Sequence, residues 1–409
     1  MKFNALKRGF VFILSGLIFC TSAMPVSAAG NTVIPATKVF IDDKKEVEKE
    51  KKLLDYETAI KKAVAYSITQ KSAELQRETL QDKIDDNYYQ YDKVFKIKNP
   101  DMLAGALANI EVYNKNLSTG RDLMLRQKTV DSENIKITVA GLFNNIEYQL
   151  NSIAFMKEKL EQGKANVILY NKQFELGMLS KNDLEKAEIA NKALENEMAL
   201  KEVKLRQFYA ELEKVTGISN IKQDYNLVPL DMEYSEVNLS DIDLEIYKRN
   251  IENFDLTILV KQNAVENKKS MYDNYSEIYN YQHLSWLAGR QPSEPNFDYK
   301  STMNEKYTAE LDLSQAKLNA KLNLDKNYTA LQQLQQNIAI MRVELDKLNV
   351  QIDTLEKSYK YGMATKNSYQ NALISKKELE DKLKGLIVQQ KQLKLLFESP
   401  YFAGMAMNV

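Results

Sequence analysis

The residues of this chain best suited to chemistry form two short stretches of matching pattern. They are Gly177-Met178-Leu179-Ser180-Lys181-Asn182-Asp183 and Gly362-Met363-Ala364-Thr365-Lys366-Asn367-Ser368. Their chemistry is that of contact: a glycine lets another backbone come close, and a flanking Ser or Thr offers hydrogen bonds. Ser180 and Thr365 also suit helix caps, with Asp183 well placed in the first copy's opening turn. The plain alternative is that both glycines only end helices. Catalysis and metal binding find little to work with. The chain has one His (His283), one Cys (Cys20) and one Trp (Trp286), so no His cluster and no Cys pair exists for a zinc site or a disulfide. His283 reads as a polar loop residue rather than a ligand or base. The many Asp and Glu residues fall at helical spacing and read as solvated faces. No enzyme, cofactor or metal site is expected.

The elements that position these turns repeat. An offset of 185 residues lays Ile153-Ala154-Phe155-Met156 over Ile338-Ala339-Ile340-Met341 and Leu160 over Leu345. Without a gap it also superposes Gly177-Met178 on Gly362-Met363, Lys181-Asn182 on Lys366-Asn367, and Ala187, Lys192, Leu194 and Glu195 on Ala372, Lys377, Leu379 and Glu380. So many identities in one register across a glycine turn indicate an internal duplication. Heptads run through both copies. Leu331, Leu334, Ile338, Met341, Leu345, Leu348, Ile352, Leu355 and Tyr359 alternate three and four apart. The matching positions in the first copy are Ile146, Gln149, Ile153, Met156, Leu160, Gly163, Val167, Tyr170 and Phe174, with only Gln149 and Gly163 breaking the apolar stripe. Such spacing makes a narrow seam for knobs-into-holes packing. Past each glycine the frame resumes, so each copy reads as a long helix, a tight turn and a second helix packing back antiparallel. A helix from about Met303 to Tyr361 would be about 88 Å long at 1.5 Å per residue. The fold class is therefore all-α, built of duplicated long antiparallel helical hairpins.

Composition agrees. In 409 residues there are only 13 Gly and 7 Pro, few for a protein of many short strands and turns. Charge balances at 56 basic and 56 acidic residues, which argues against a nucleic-acid partner. The first 28 residues resemble a secretory signal: Lys2, Lys7 and Arg8, an apolar run over Gly9 to Phe19, then a small-x-small site at Val26-Ser27-Ala28. An uncleaved anchor is the alternative, although the run is short for a bilayer. Phe19 before Cys20 does not suit a lipidation signal. Cleavage after Ala28 removes those three basic residues and no acidic ones, leaving a net charge of −3 and no cysteine. The protein is then extracytoplasmic yet builds no disulfide. Proline positions divide the chain. We read 1–28 as signal peptide, 29–42 as a leader, 43–217 as the first helical repeat and 218–241 as a linker. The second repeat is 242–399, and 400–409 is a C-terminal tail.

Tyr170 to Gly217 and Leu355 to Pro400 resemble the TolC-like outer-membrane efflux protein family. Phe174-Glu175-Leu176-Gly177-Met178-Leu179-Ser180 and Tyr359-Lys360-Tyr361-Gly362-Met363-Ala364-Thr365 look like its aromatic-x-x-Gly-Leu-x-Ser/Thr turn. Leu53 to Glu74, with Tyr56, Ala59, Ile60 and Ala63, is similar to its opening helix. The resemblance implies a homotrimer whose helices form a hollow barrel, docked at its inner end by a periplasmic adaptor, or membrane fusion protein, that binds an inner-membrane pump. By that resemblance Gly177, Met178, Leu179, Ser180 and Asp183 form one docking groove, and Gly362, Met363, Ala364, Thr365 and Ser368 the other.

The family also inserts a pair of membrane strands in each half, each needing about ten alternating residues. Residues 84–130 offer only Val94-Phe95-Lys96-Ile97 before Pro100, and 274–301 shows no clean alternation. The membrane barrel is expected to be missing, and membrane contact stays open. Tyr88, Tyr89 and Tyr91 in the first half, and Tyr275, Tyr279, Tyr281 and Trp286 in the second, fall at corresponding hairpin ends. They form either a belt touching lipid, glycan or a partner, or loop packing. The function expected is a passive export conduit of the cell envelope. A coiled-coil stalk or spacer is the alternative.

Overall fold

The computed structural model describes residues 51–98, 100–230, 234–287 and 299–406. The expected signal peptide and leader lie outside them. The chain opens with β1 (Lys52–Leu54), which pairs in parallel with β2 (Tyr225–Leu227). Asp55 then caps α1 (Tyr56–Tyr66), its carboxylate accepting the Thr58 N–H at 2.7 Å. Ser67 ends α1 and caps α2 (Ile68–Val94), accepting the Gln70 N–H at 3.2 Å. The expected opening helix over Leu53 to Glu74 is thus corrected. Leu53 and Leu54 belong to a strand, held by backbone pairing with Asn226 and Leu227, and the helix breaks at Ser67, whose side chain competes for the backbone.

After α2 come α3 (Pro100–Glu175), α4 (Lys181–Thr216) and the one-turn α5 (Ile221–Asp224). The second half holds α6 (Asp241–Asn250), which runs into a 3-10 turn, then α7 (Leu256–Leu287), α8 (Tyr299–Lys360) and α9 (Lys366–Glu398). Pro100 starts α3 where its missing N–H costs nothing. With 76 and 62 residues, α3 and α8 run about 114 Å and 93 Å. Along the half that carries the glycine turns, the lateral order is α4, α3, α9, α8. Along the other half it is α2, α3, α7, α8. The segment read as a linker contains α5 and β2.

The duplication is visible in the core. One cluster holds Ile135, Val139, Ile146, Ile153 and Leu212, and a second holds Ala320, Leu324, Leu331, Ile338 and Phe397 at the same five offsets of 185. Around them the two copies differ. Leu54, Ala59, Ala63 and Ile221 close the first, while Ile251, Ile258 and Ala403 close the second. Each fully buried Leu, Ile or Phe contributes about 1.5–3 kcal/mol of transfer free energy. The clusters therefore anchor helices that are otherwise solvated along much of their length.

Between α2 and α3 lie only residues 95–99, and between α7 and α8 only 288–298. Two spanning strands need about twenty residues before any turn is added. The first place has no room for a pair, and residues 288–298 of the second lie outside the described residues. Among the described residues, no helix is long and apolar enough to cross a membrane. The side chains of Tyr275, Tyr279, Tyr281, His283 and Trp286, and Pro292 and Pro295 entirely, lie outside the described residues.

Candidate docking turns

Both turns are helix ends of the same design. At the end of α3 the N–H of Gly177 bonds to the Phe174 carbonyl at 2.9 Å and that of Met178 to Gln173 at 2.8 Å. At the end of α8 Gly362 bonds to Tyr359 at 3.0 Å and Met363 to Ser358 at 2.8 Å. These crossed bonds satisfy the last helical carbonyls and require a left-handed residue, and φ is +70° at Gly177 and +74° at Gly362. A Cβ at either glycine would meet nothing within 4 Å, so it is the backbone angle that selects glycine there.

The next helices start on the predicted caps. Ser180 Oγ accepts the Asp183 N–H at 3.2 Å and donates to Asp183 Oδ2 at 2.7 Å. Thr365 Oγ1 accepts the Ser368 N–H at 3.2 Å and shares a 2.8 Å hydrogen bond with the Ser368 hydroxyl. The copies thus differ by a charge: a carboxylate stands at the helix N-terminus in the first and a hydroxyl in the second. Leu179 and Ala364 are half-buried, folding inward at matching positions. Met178 and Met363 point outward, 73% and 77% exposed, with Leu176 and Tyr361 beside them equally open. Tyr359 stacks on Tyr369 across the second turn, rings 6.0 Å apart and 5° from parallel. Lys360 is raised above its ordinary value by the Glu356 carboxylate, 2.7 Å away.

The helices bring the two turns to one end of the molecule. Helix α3 runs antiparallel to α9, with Glu158 paired to Lys377, Lys159 to Glu378, and Ser152 donating to Asp381 at 3.0 Å. Following that register places the Gly177 and Gly362 turns at the same level. Residue order grouped each turn locally but carried no signal for this adjacency, which only the family resemblance implied. It also missed the polar knot behind it. Lys201 of α4 donates to Ser152 at 2.6 Å and lies 3.9 Å from Asp381, joining three helices. Tyr148 sits against this knot, its hydroxyl raised first by burial and then by the Asp381 charge. A serine or aspartate amid heptads gives no periodic signal, so only packing reveals the knot. Among the described residues, no group of three or more His, Cys, Asp or Glu could hold a metal.

No protein-family model matches the chain. No curated protein matches it in sequence. Solved structures match in shape over most of its length. The channel CusC, from a study of its folding and transmembrane channel formation, is 12% identical with a TM-score of 0.58, covering 86% of this chain and 92% of its own. The Campylobacter jejuni outer-membrane channel CmeC is 11% identical with a TM-score of 0.57, covering 92% and 94%. The outer-membrane channel OprN is 9% identical with a TM-score of 0.60, covering 83% and 88%. The fold is thus the TolC-like helical fold that these channels share. At such low identity the likeness concerns the fold.

Proposed function

We propose that this chain is an export conduit of the cell envelope, made by several copies closing side by side into a helical barrel. One observation supports this most directly. Within the chain α3 and α9 cover each other, and the duplication maps that covered seam onto outer faces of α8 and α4. Ser152 is fully buried and Asp381 largely so, while their counterparts Asn337 and Asn196 are exposed. Ile374 is half-buried and its identical counterpart Ile189 is 69% exposed. Sizes are complementary as well. Gly385 accommodates Tyr148, whose hydroxyl would lie 3.0 Å from an added Cβ, and at the mapped position an exposed Leu200 would meet the smaller Gln333.

An α4 face meeting the α8 face of the next copy is a heterologous contact, which builds a ring when the rotation closes. A ring of three would be the homotrimer that the resemblance implies. The glycine turns would gather at one rim, where exposed Met178, Leu176, Tyr361 and Met363 offer adaptable apolar contact to an adaptor protein linked to a pump. Export across the envelope after signal cleavage, with no chemical step, follows from the same reading.

The test is Asn196→Cys with Asn337→Cys in one chain whose Cys20 is removed with the signal or changed to Ser. Oxidation is expected to give dimers and then a closed species of fixed mass by light scattering. Monomer alone, with neither single variant forming dimers, would sink the ring.

A further inference from the structure

The end of the α2–α3 hairpin away from the glycine turns carries a surface that the conduit reading leaves unused. There α2 ends with Tyr88, Tyr89 and Tyr91, Phe95 follows it directly, and Met102 is the third residue of α3. Tyr88, Tyr89, Phe95 and Met102 are 63%, 71%, 64% and 65% exposed. The rings form a held row. Tyr91 lies 6.4 Å from Tyr88 and 6.3 Å from Phe95, and Asn114 of α3 donates to its hydroxyl at 3.4 Å. Asn87, itself buried, donates to that same Asn114 at 2.6 Å, tying the row to α3.

Charge at this tip is uneven. Lys93, Lys96 and Lys98 are all exposed, and from Tyr91 to Met102 they stand against Asp92 and Asp101, an excess of one positive charge. No ion pair among the described residues engages these three lysines. Tyrosine rings with a polar tip favour the headgroup level of a bilayer, and Phe and Met beside them add apolar depth. Lysines at that level keep their stems along the apolar surface and their ammonium groups on phosphate. Tyrosines also stack on sugars, but Phe95, Met102 and three lysines add little to the recognition of a neutral glycan.

We infer that this tip docks on the surface of a membrane bearing anionic lipid, by a helical contact that inserts rings without spanning. The inference stands on the tip alone and holds for a conduit or a stalk.

Flotation of the full chain with phosphatidylcholine vesicles, with and without phosphatidylglycerol, tests it. Two variants accompany it: Tyr88→Ser/Tyr89→Ser/Phe95→Ser, and Lys96→Glu/Lys98→Glu. The apolar run from Gly9 to Phe19 is common to all three proteins, so differences between them belong to the tip. The charge variant is expected to lose about thirtyfold or more in affinity for the anionic vesicles and to match the parent on neutral ones. The aromatic variant should lose affinity for both. Equal flotation of all three proteins overturns the inference, as does tip-dependent sedimentation with purified peptidoglycan in place of flotation. If the aromatic variant loses helicity by circular dichroism, the charge variant, altered only at exposed side chains, decides the outcome.

Discussion

The same heptad seam behaves differently at its two ends. At the core end Ile146 and Leu331 are 1% and 0% exposed, whereas at the turn end Phe174 and Tyr359 are each 40% exposed. The residue pattern barely changes along the way. What changes is the number of neighbours: near Ile146 the seam lies under α1, α4, α5 and the short sheet, and near Phe174 only one layer of helices remains. A heptad stripe therefore shows that a face is apolar, and the neighbours decide whether it is covered. The turn end is where surface is left over for contact.

That contrast can be broken most forcefully at the core. Leu331→Ala should cost about 2–5 kcal/mol, because a completely buried side chain leaves a cavity. Tyr359→Ala, at the open end of the same seam, should cost less than half as much. Urea unfolding of both variants measures the difference, and equal losses would mean that the turn end is as cohesive as the core.

Next in size is Gly362→Val, where a β-branched residue must take φ near +74° at about 1–3 kcal/mol. Hydrogen exchange should quicken around the turn while total helicity stays nearly constant. A large drop in helicity would instead show that the turn supports the whole hairpin.

Smaller still are the caps. Ser180→Ala and Thr365→Ala should each cost about 1 kcal/mol, with Ser180 the costlier because the side-chain hydrogen bond it loses is to the Asp183 carboxylate, whereas Thr365 loses a neutral one to Ser368. A thermal melt of each variant ranks them. If Thr365→Ala proves worse, the charge difference between the turns has no energetic weight.

The smallest effect is acid-dependent and belongs to the α2–α3 hairpin. Glu74 is held down from 4.5 to about 2 by hydrogen bonds from Arg77 and Lys128 and then by their charges. Unfolding returns it to its ordinary value, so between those two pH values the unfolded chain binds the extra proton. The stability it lends is complete above pH 4.5 and is lost as pH falls toward 2. Glu74→Gln should flatten the unfolding midpoint over that window, and parallel pH profiles for the two proteins would remove Glu74 from the account. Being exposed, the group has a modest effect that added salt should reduce.

Much of this architecture was readable from residue order. The three-four spacing from Leu331 to Tyr359 and the ungapped offset of 185 locate both hairpins, and Gly177 and Gly362 locate their turns. The expected helix from Met303 to Tyr361 begins four residues earlier, at Tyr299, and ends one earlier, at Lys360. The β1–β2 pair escaped, because three residues are too few to show a period and Leu53-Leu54 continues an apolar pattern that suits helix equally well. Each turn was legible as a local cap. The common rim they share came only as an implication of the resemblance and not from residue order, since it depends on α3 and α9 meeting through Ser152, Asp381 and two ion pairs far apart in sequence.

By itself the sequence determined what is local: helix, turn, cap and the apolar stripe, each set by neighbours a few residues away. The duplication was equally plain, because it is a comparison of the chain with itself. Tertiary structure alone decided that α3 lies between α4 and α9, so that one copy of a repeated seam is covered and the other exposed. Lateral order among amphipathic helices depends on long-range fit, such as Gly385 against Tyr148, and no periodicity along the chain encodes that fit.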